Sequence, residues 1–337
     1  MKKLTKVGLS ALAGALAFTS ANAGEVSIAG SMIASYTKTG GHNTTTGNPI
    51  GMNKELTITG SGELDNGTTV AYKQTVTNAM AYNDSELKFT GLPMAMGGTV
   101  AITSTGGPLD AIDDKTPIAF EEASAAVGSL KDVSGVNGTY GLRYTLSDVG
   151  GSGIGIDAMF SPKHGDGDAA AEKGTAGSVN NEAKSGYDIV VSGAVPAVDG
   201  LSFGLGYSNK ENSTENVIAK DTDDNEGTVY VNYAFGGFKI GAQRGVVSQT
   251  GADHTNYDNE YIGISYAMTD NLSVSYNEIE SRKSAGGVDV TQEFDSISLS
   301  YTAGGMTIGL LDAEADNTSY TSGKSTTARA IQMSVAF

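Results

Sequence analysis

Leu201-Ser202-Phe203-Gly204-Leu205-Gly206-Tyr207 carries an apolar side chain at every second position, with Ser or Gly between. Successive side chains of a strand point to opposite faces, so this stretch has one greasy face and one small, polar face. Tyr140-Gly141-Leu142-Arg143-Tyr144, Leu272-Ser273-Val274-Ser275-Tyr276 and Ile297-Ser298-Leu299-Ser300-Tyr301 read the same way. The pattern predicts strands at 25–36, 55–64, 68–76, 85–90, 98–104, 139–146, 153–160 and 187–195. It continues at 201–208, 228–235, 238–246, 260–268, 272–279, 293–301, 306–311 and 327–337.

The connections alternate in length. Those at 64–67, 148–152, 196–200, 236–237, 269–271 and 303–305 are tight and hold the Gly, Asn, Asp or Pro that turns require. Asp65-Asn66-Gly67 carries the Asn-Gly hairpin signal. Those at 37–54, 106–138, 161–186, 209–227, 248–259, 280–292 and 312–326 are long, and hold most of the acidic residues and all three histidines. All six prolines fall in connections, as a residue without an amide donor should. Hairpins tight at one end and long at the other describe a transmembrane antiparallel up-and-down β-barrel of about sixteen strands, with periplasmic turns and extracellular loops. Closure satisfies every backbone group within lipid and leaves no edge. An exported β-solenoid would instead show a fixed repeat period, and none is present.

Residues 1–23 read as a cleaved signal peptide. Lys2, Lys3 and Lys6 precede a short apolar run from Val7 to Phe18, and Ala21-Asn22-Ala23 is a small-x-small cleavage site. The barrel domain is then 24–337. Loss of the three lysines takes the formal net charge from −17 to −20, which argues against a nucleic-acid partner. The chain has no cysteine, so stability rests on packing and strand pairing. No later stretch holds 18 consecutive apolar residues, against a helical membrane span.

One face of the predicted strands carries Ile28, Met32, Leu56, Leu87, Ile102, Leu142, Ile189, Leu205, Ile240, Ile262, Ile297 and Leu310 and is expected to meet lipid. Tyr36, Tyr140, Phe160, Tyr187, Tyr207, Tyr233, Tyr266 and Tyr301 lie near strand ends, where an interfacial girdle belongs. The other face carries Ser27, Thr57, Thr59, Lys73, Thr75, Lys88, Arg143, Asp157, Asn232, Ser265, Ser275 and Ser298. So many hydroxyls need partners, which a water-filled lumen supplies and a packed core does not.

Little here reads as catalytic. His42, His164 and His254 lie in Gly/Asn/Asp-rich connections without a nucleophile context. Gly153-Ile154-Gly155-Ile156-Asp157-Ala158 loosely matches a dinucleotide fingerprint, but lies inside a strand and leads to Ser161-Pro162, not to a helix. The run holding Asp221, Asp223, Asp224 and Glu226 is a weak candidate for a divalent cation, without the Gly of a calcium loop at its sixth position. No enzyme, resident metal or cofactor is expected. The connection after the fifth strand differs from the rest: its Leu109, Ile112, Ile118 and Phe120 need burial, yet lie outside any strand. A loop folded into the lumen resolves this, and would bring Asp110, Asp113, Asp114, Glu121 and Glu122 to the remaining aperture; the alternative is a solvated surface loop with a short helix.

The chain resembles the general porins of Gram-negative outer membranes, the trimeric sixteen-stranded kind. The resemblance is carried by the leader, by Gly62-Glu63-Leu64-Asp65-Asn66-Gly67-Thr68, and by Ser85-Glu86-Leu87-Lys88-Phe89-Thr90-Gly91-Leu92. Tyr266-Ala267-Met268-Thr269-Asp270-Asn271-Leu272, the long fifth connection and Ile331-Gln332-Met333-Ser334-Val335-Ala336-Phe337 extend it. It implies an outer-membrane channel for passive diffusion of small hydrophilic solutes, assembled as a homotrimer among lipid and lipopolysaccharide. Met333, Val335 and Phe337 would be the insertion signal read by the barrel-assembly machinery. An acidic loop would face a basic wall, here Lys73, Lys88 and Arg143, with Lys54 as a further candidate. The acidic segment 108–123 holds five acids against one Lys, so mild cation preference is expected. Three departures stand out: the basic side is sparser than the family's arginine cluster, the family's Pro-Glu-Phe-Gly-Gly loop motif is missing, and the second extracellular connection, 77–84, is very short for a loop that latches onto a neighbour. The competing reading is an adhesin or structural barrel with a plugged lumen, which would not conduct.

Overall fold

The computed structural model describes residues 25–42, 46–77, 82–128, 130–137, 140–164, 183–212, 223–249 and 254–337. The expected leader and Asp221 lie outside these residues. The strands are β1 (Val26–Gly41), β2 (Ile50–Glu63), β3 (Thr69–Val76), β4 (Tyr82–Thr90), β5 (Thr99–Thr103), β6 (Gly141–Leu146), β7 (Ile154–Ser161) and β8 (Ala183–Ala194). They continue as β9 (Leu201–Asn212), β10 (Asp224–Phe235), β11 (Phe238–Gln249), β12 (Asn256–Thr269), β13 (Leu272–Ala285), β14 (Val288–Ala303), β15 (Met306–Asp316) and β16 (Thr326–Ala336). Each pairs antiparallel with its neighbours in sequence, and β1 pairs with both β2 and β16, closing the barrel. At the seam, Gly30 and Phe337 exchange both backbone hydrogen bonds, at 2.8 and 3.0 Å. Among the described residues no helix is long and apolar enough to cross a membrane. The crossing is made by strands.

Alternation sets the faces. Ile28 is 65% exposed, Leu205 58%, Ile262 60% and Ile297 59%, an apolar outer surface that suits lipid and not water. At the Gly236-Gly237 turn, Tyr233, Phe235, Phe238 and Tyr266 stack in series, with centroids 5.5, 5.7 and 4.4 Å apart. Such rings combine an apolar body with interfacial preference, as a girdle requires.

The strands of the second half run further than expected. The connection expected over 280–292 is instead a turn of two glycines: β13 ends at Ala285, β14 begins at Val288, and Gly286 and Gly287 have φ of 58° and 79°. Both central positions of such a tight hairpin turn need positive φ, which glycine adopts without strain. Toward this turn both strands become polar outside and apolar inside. Glu278, Glu280, Glu293 and Asp295 point outward, while Ile279 and Phe294 point inward and are fully buried. The expected strand ends, Ile279 and Glu293, fall within this reversal.

Candidate functional site: a loop folded into the lumen

The long connection after β5 does not leave the barrel. It turns inward through short 3-10 turns at Asp110–Ile112 and Ala123–Ala126 and follows the inner wall from β8 to β16. Its apolar residues build two small cores there. Leu109, Ile112 and Val133 pack with Val190 and Val247. Ala123 and Val127 pack with Tyr261, Ile279, Phe294, Leu311 and a row of alanines from β15 and β16, with Phe120 against them. The wall makes room with small residues. A Cβ added at Gly206 would strike Leu109, at Gly241 Pro117, and at Gly309 the ring of Phe120.

Wall polar groups satisfy the loop's backbone. Gln243 accepts from Lys115 N–H at 2.7 Å and donates to the Ile112 carbonyl at 2.9 Å. Asn232 donates to the Lys115 carbonyl at 2.7 Å. Ser275 and Ser298 accept from the amides of Ala119 and Phe120, at 2.8 and 3.2 Å. Asn277 accepts from Ala123 N–H at 3.3 Å and Asn259 donates to the Lys131 carbonyl at 2.9 Å. The inward hydroxyls that read as wetting a lumen therefore serve, on β13 and β14, as partners of the loop. Buried backbone groups need such partners.

The loop brings Asp110, Asp113, Asp114, Glu121 and Glu122 into one region. Burial pushes the carboxyls of Asp110, Asp113, Glu121 and Glu122 above the ordinary range, and neighbouring carboxylates add to it for all four, against a hydrogen bond from Ser124 at Glu122. Asp113 is pushed up to about 8, by burial and then by Asp114. Asp132, on the same loop, is raised to about 6 by burial, although it accepts a short hydrogen bond from Tyr261. Sequence reading passed over Asp132, which lies beyond the acidic segment. It also passed over Asp84 of β4, whose charge acts on Asp110.

Lys73, Lys88 and Arg143 stand on β3, β4 and β6, whereas the loop's apolar contacts run along β8–β16, and Arg143 Nη1 also donates to the carbonyl of Gly106 at the start of the loop, at 3.4 Å. These cations are not free. Lys88 pairs with Glu86 at 2.8 Å and Arg143 with Asp157 at 2.6 Å, and Lys73 acts on Asp84. Lys73, Glu86 and Lys88 share a recess of about 220 Å³ with Ser27 and Thr59. Lys54 is aligned with Met32 of β1, on the outward face of β2 beside Leu56 and Met52, and not among the lumen residues.

The weak cation candidate is divided. Asp224 and Glu226 belong to β10, and Glu226 is 2% exposed and paired with Lys210 at 2.5 Å. Among the described residues no cluster of His, Asp or Glu has the arrangement of a metal site.

A family model described as Gram-negative porin matches residues 8–321. A search of curated proteins gives no match. Among solved structures, OmpT of Vibrio cholerae folded in vitro superposes with a TM-score of 0.67 at 11% identity, covering 94% of this chain and 98% of that one. A trimer form of the same protein gives 0.65 at 11%, covering 94% and 100%. An anion-selective porin from Comamonas acidovorans gives 0.63 at 14%, covering 93% and 100%. At such identities the likeness speaks for the fold alone.

Proposed function

The chain belongs to the Gram-negative porin family and is a protein of the outer membrane; from that premise we propose that it is a non-enzymatic channel for passive diffusion of small hydrophilic solutes, mildly cation-preferring and homotrimeric. One observation carries the preference. Segment 108–123 of the loop gathers five acidic groups against one cation, Lys115, which pairs with Asp114 at 3.6 Å, and on the other wall Arg143 and Lys88 each have a carboxylate partner of their own. The aperture thus keeps a net negative charge. Carboxylates along a narrow aqueous path concentrate cations, and the low-dielectric wall focuses their field. Acidic external loops add a vestibule whose influence fades over about 10 Å at 0.1 M salt. The Comamonas porin is anion-selective by name. The shared fold therefore leaves the sign of selectivity to side chains.

The assembly reading is supported by the uneven height of the wall. β3, β4, β5, β6 and β7 have 8, 9, 5, 6 and 8 residues. A strand needs about 9–11 residues to cross the hydrocarbon layer. The outer face of this low wall presents Tyr72, Leu87, Ile102, Leu142 and Phe160. A further copy of the chain packed there would cover what the short strands leave open. Lipopolysaccharide would meet the outward charged ends of β12–β15, and the assembly machinery would read Met333, Val335 and Phe337. Liposome swelling in sugars and amino acids of increasing size tests the channel. Size-limited swelling is expected, and no swelling would favour a plugged structural barrel or adhesin.

A further inference from the structure

Two wall carboxylates remain outside the aperture and away from lipid. Asp188 of β8 is 1% exposed and Glu226 of β10 is 2% exposed. Both align with Ser208 of β9, so they stand on one inward row on either side of it. Their partners are consecutive amides of the loop's returning stem. Glu226 accepts from Ser134 N–H and Gly135 N–H, each at 2.7 Å, and Asp188 accepts from Val136 N–H with both oxygens at 3.0 Å. Gly135 has φ of 59°, a conformation that turns successive amides toward one side and forms an anion-binding nest. Lys210 of β9 neutralises Glu226 at 2.5 Å and reaches Ser134 Oγ at 3.4 Å. The outgoing stem meets the same group, since a Cβ at Gly107 would collide with Asp188 Oδ2, as would one at Gly135. Leu109, two residues on, is fully buried against Gly206.

We infer that Asp188 and Glu226 are positioning residues that cinch both stems of the lumen loop to one point of the wall and so fix the width of the aperture. The inference rests on the porin reading above. Amide and hydroxyl side chains of the wall, with Tyr261 on Asp132, hold the body of the loop along β10–β14, but Asp188 touches both stems. A buried carboxylate is tolerated only when paired and hydrogen-bonded, so the two anions and the nest require each other. Releasing them frees the ends of a segment that carries all five aperture acids.

The test uses the full chain, which lacks cysteine and so accepts a single spin label at Ala111→Cys on the loop. Asp188→Asn and the pair Lys210→Met with Glu226→Gln keep side-chain size and remove the clamp's charge. Heat-modifiable migration reports that the barrel has folded. Expected are a more mobile nitroxide, a several-fold rise in open-channel current noise and passage of larger solutes. Asp258→Asn, which breaks an outer-face pair with Arg244 and Arg282, should change none of these. Folded variants with wild-type label mobility, noise and size limit would overturn the clamp. If wild type does not conduct, the channel reading fails, while label mobility still decides the clamp. If the variants do not fold, hydrogen exchange on the unaltered protein decides. Amides 134–136 should be protected like strand amides, and exchange as fast as exposed loop amides would overturn the inference.

Discussion

Arg143 of β6 grips Asp157 of β7 with a fork of two hydrogen bonds, Nε to Oδ1 at 2.9 Å and Nη2 to Oδ2 at 2.6 Å. Paired guanidinium–carboxylate forks are strong and fixed in geometry. The cation that should most attract anions to the lumen is therefore offset by its neighbour. Asp157→Asn should uncover it and move the reversal potential in a salt gradient toward anions. An unmoved potential would place Arg143 away from the ion path.

Asp113 supplies a pH dependence. Its carboxyl is pushed up to about 8 by burial, with Asp114 beside it, so the neutral form is favoured below that pH. Charge is thus gained as pH rises. Cation preference should increase between about pH 6 and about pH 9. Asp113→Asn should flatten the increase and change little at the acidic end. A variant that keeps the full increase would assign it to another group.

Gly309 of β15 makes room for Phe120. Gly309→Val should push the ring off the wall, at a cost of about 1–3 kcal/mol for overpacking. The unfolding transition seen by heat-modifiable migration should fall, with a change in conductance from the displaced loop. Wild-type stability and conductance together would contradict the packing given to Phe120.

Phe337 closes the seam through Gly30, over which its ring also lies. The seam is one pair among many, so deleting Phe337 should lower insertion into the outer membrane far more than it lowers the stability of folded barrel. Normal insertion of the deletion variant would refute an insertion signal at this end.

The barrel was legible because each strand repeats one rule of apolar outside and small or polar inside. Leu201–Tyr207 obeys it throughout, and β9 begins at Leu201 as expected. The rule failed where the wall meets something other than lipid and water. On β13 and β14, Ile279 and Phe294 face inward to a loop core, and Glu280 and Glu293 face outward. That reversal depends on where a distant loop lies, which no local pattern encodes. The inward loop itself was legible from Leu109, Ile112 and Phe120, apolar residues with no strand to bury them. Its anchors were not. Asp188 reads as one more inward polar residue of β8, and Glu226 as part of an acidic run, until the loop's amides are brought against them. Arg143 and Asp157 were both read as inward, but pairing across two strands depends on register.

Reversal potential and conductance in planar bilayers test the central claim most directly. The purified protein should open discrete channels, and a KCl gradient should give a cation-directed potential that is largest at low salt. Asp110, Asp113 and Asp114 changed together to Asn should lower that potential, because the amides keep the size and lose the charge. No conductance would contradict an open channel, an anion-directed potential would contradict a net acidic aperture, and unchanged selectivity in the triple variant would mean that this loop does not line the path.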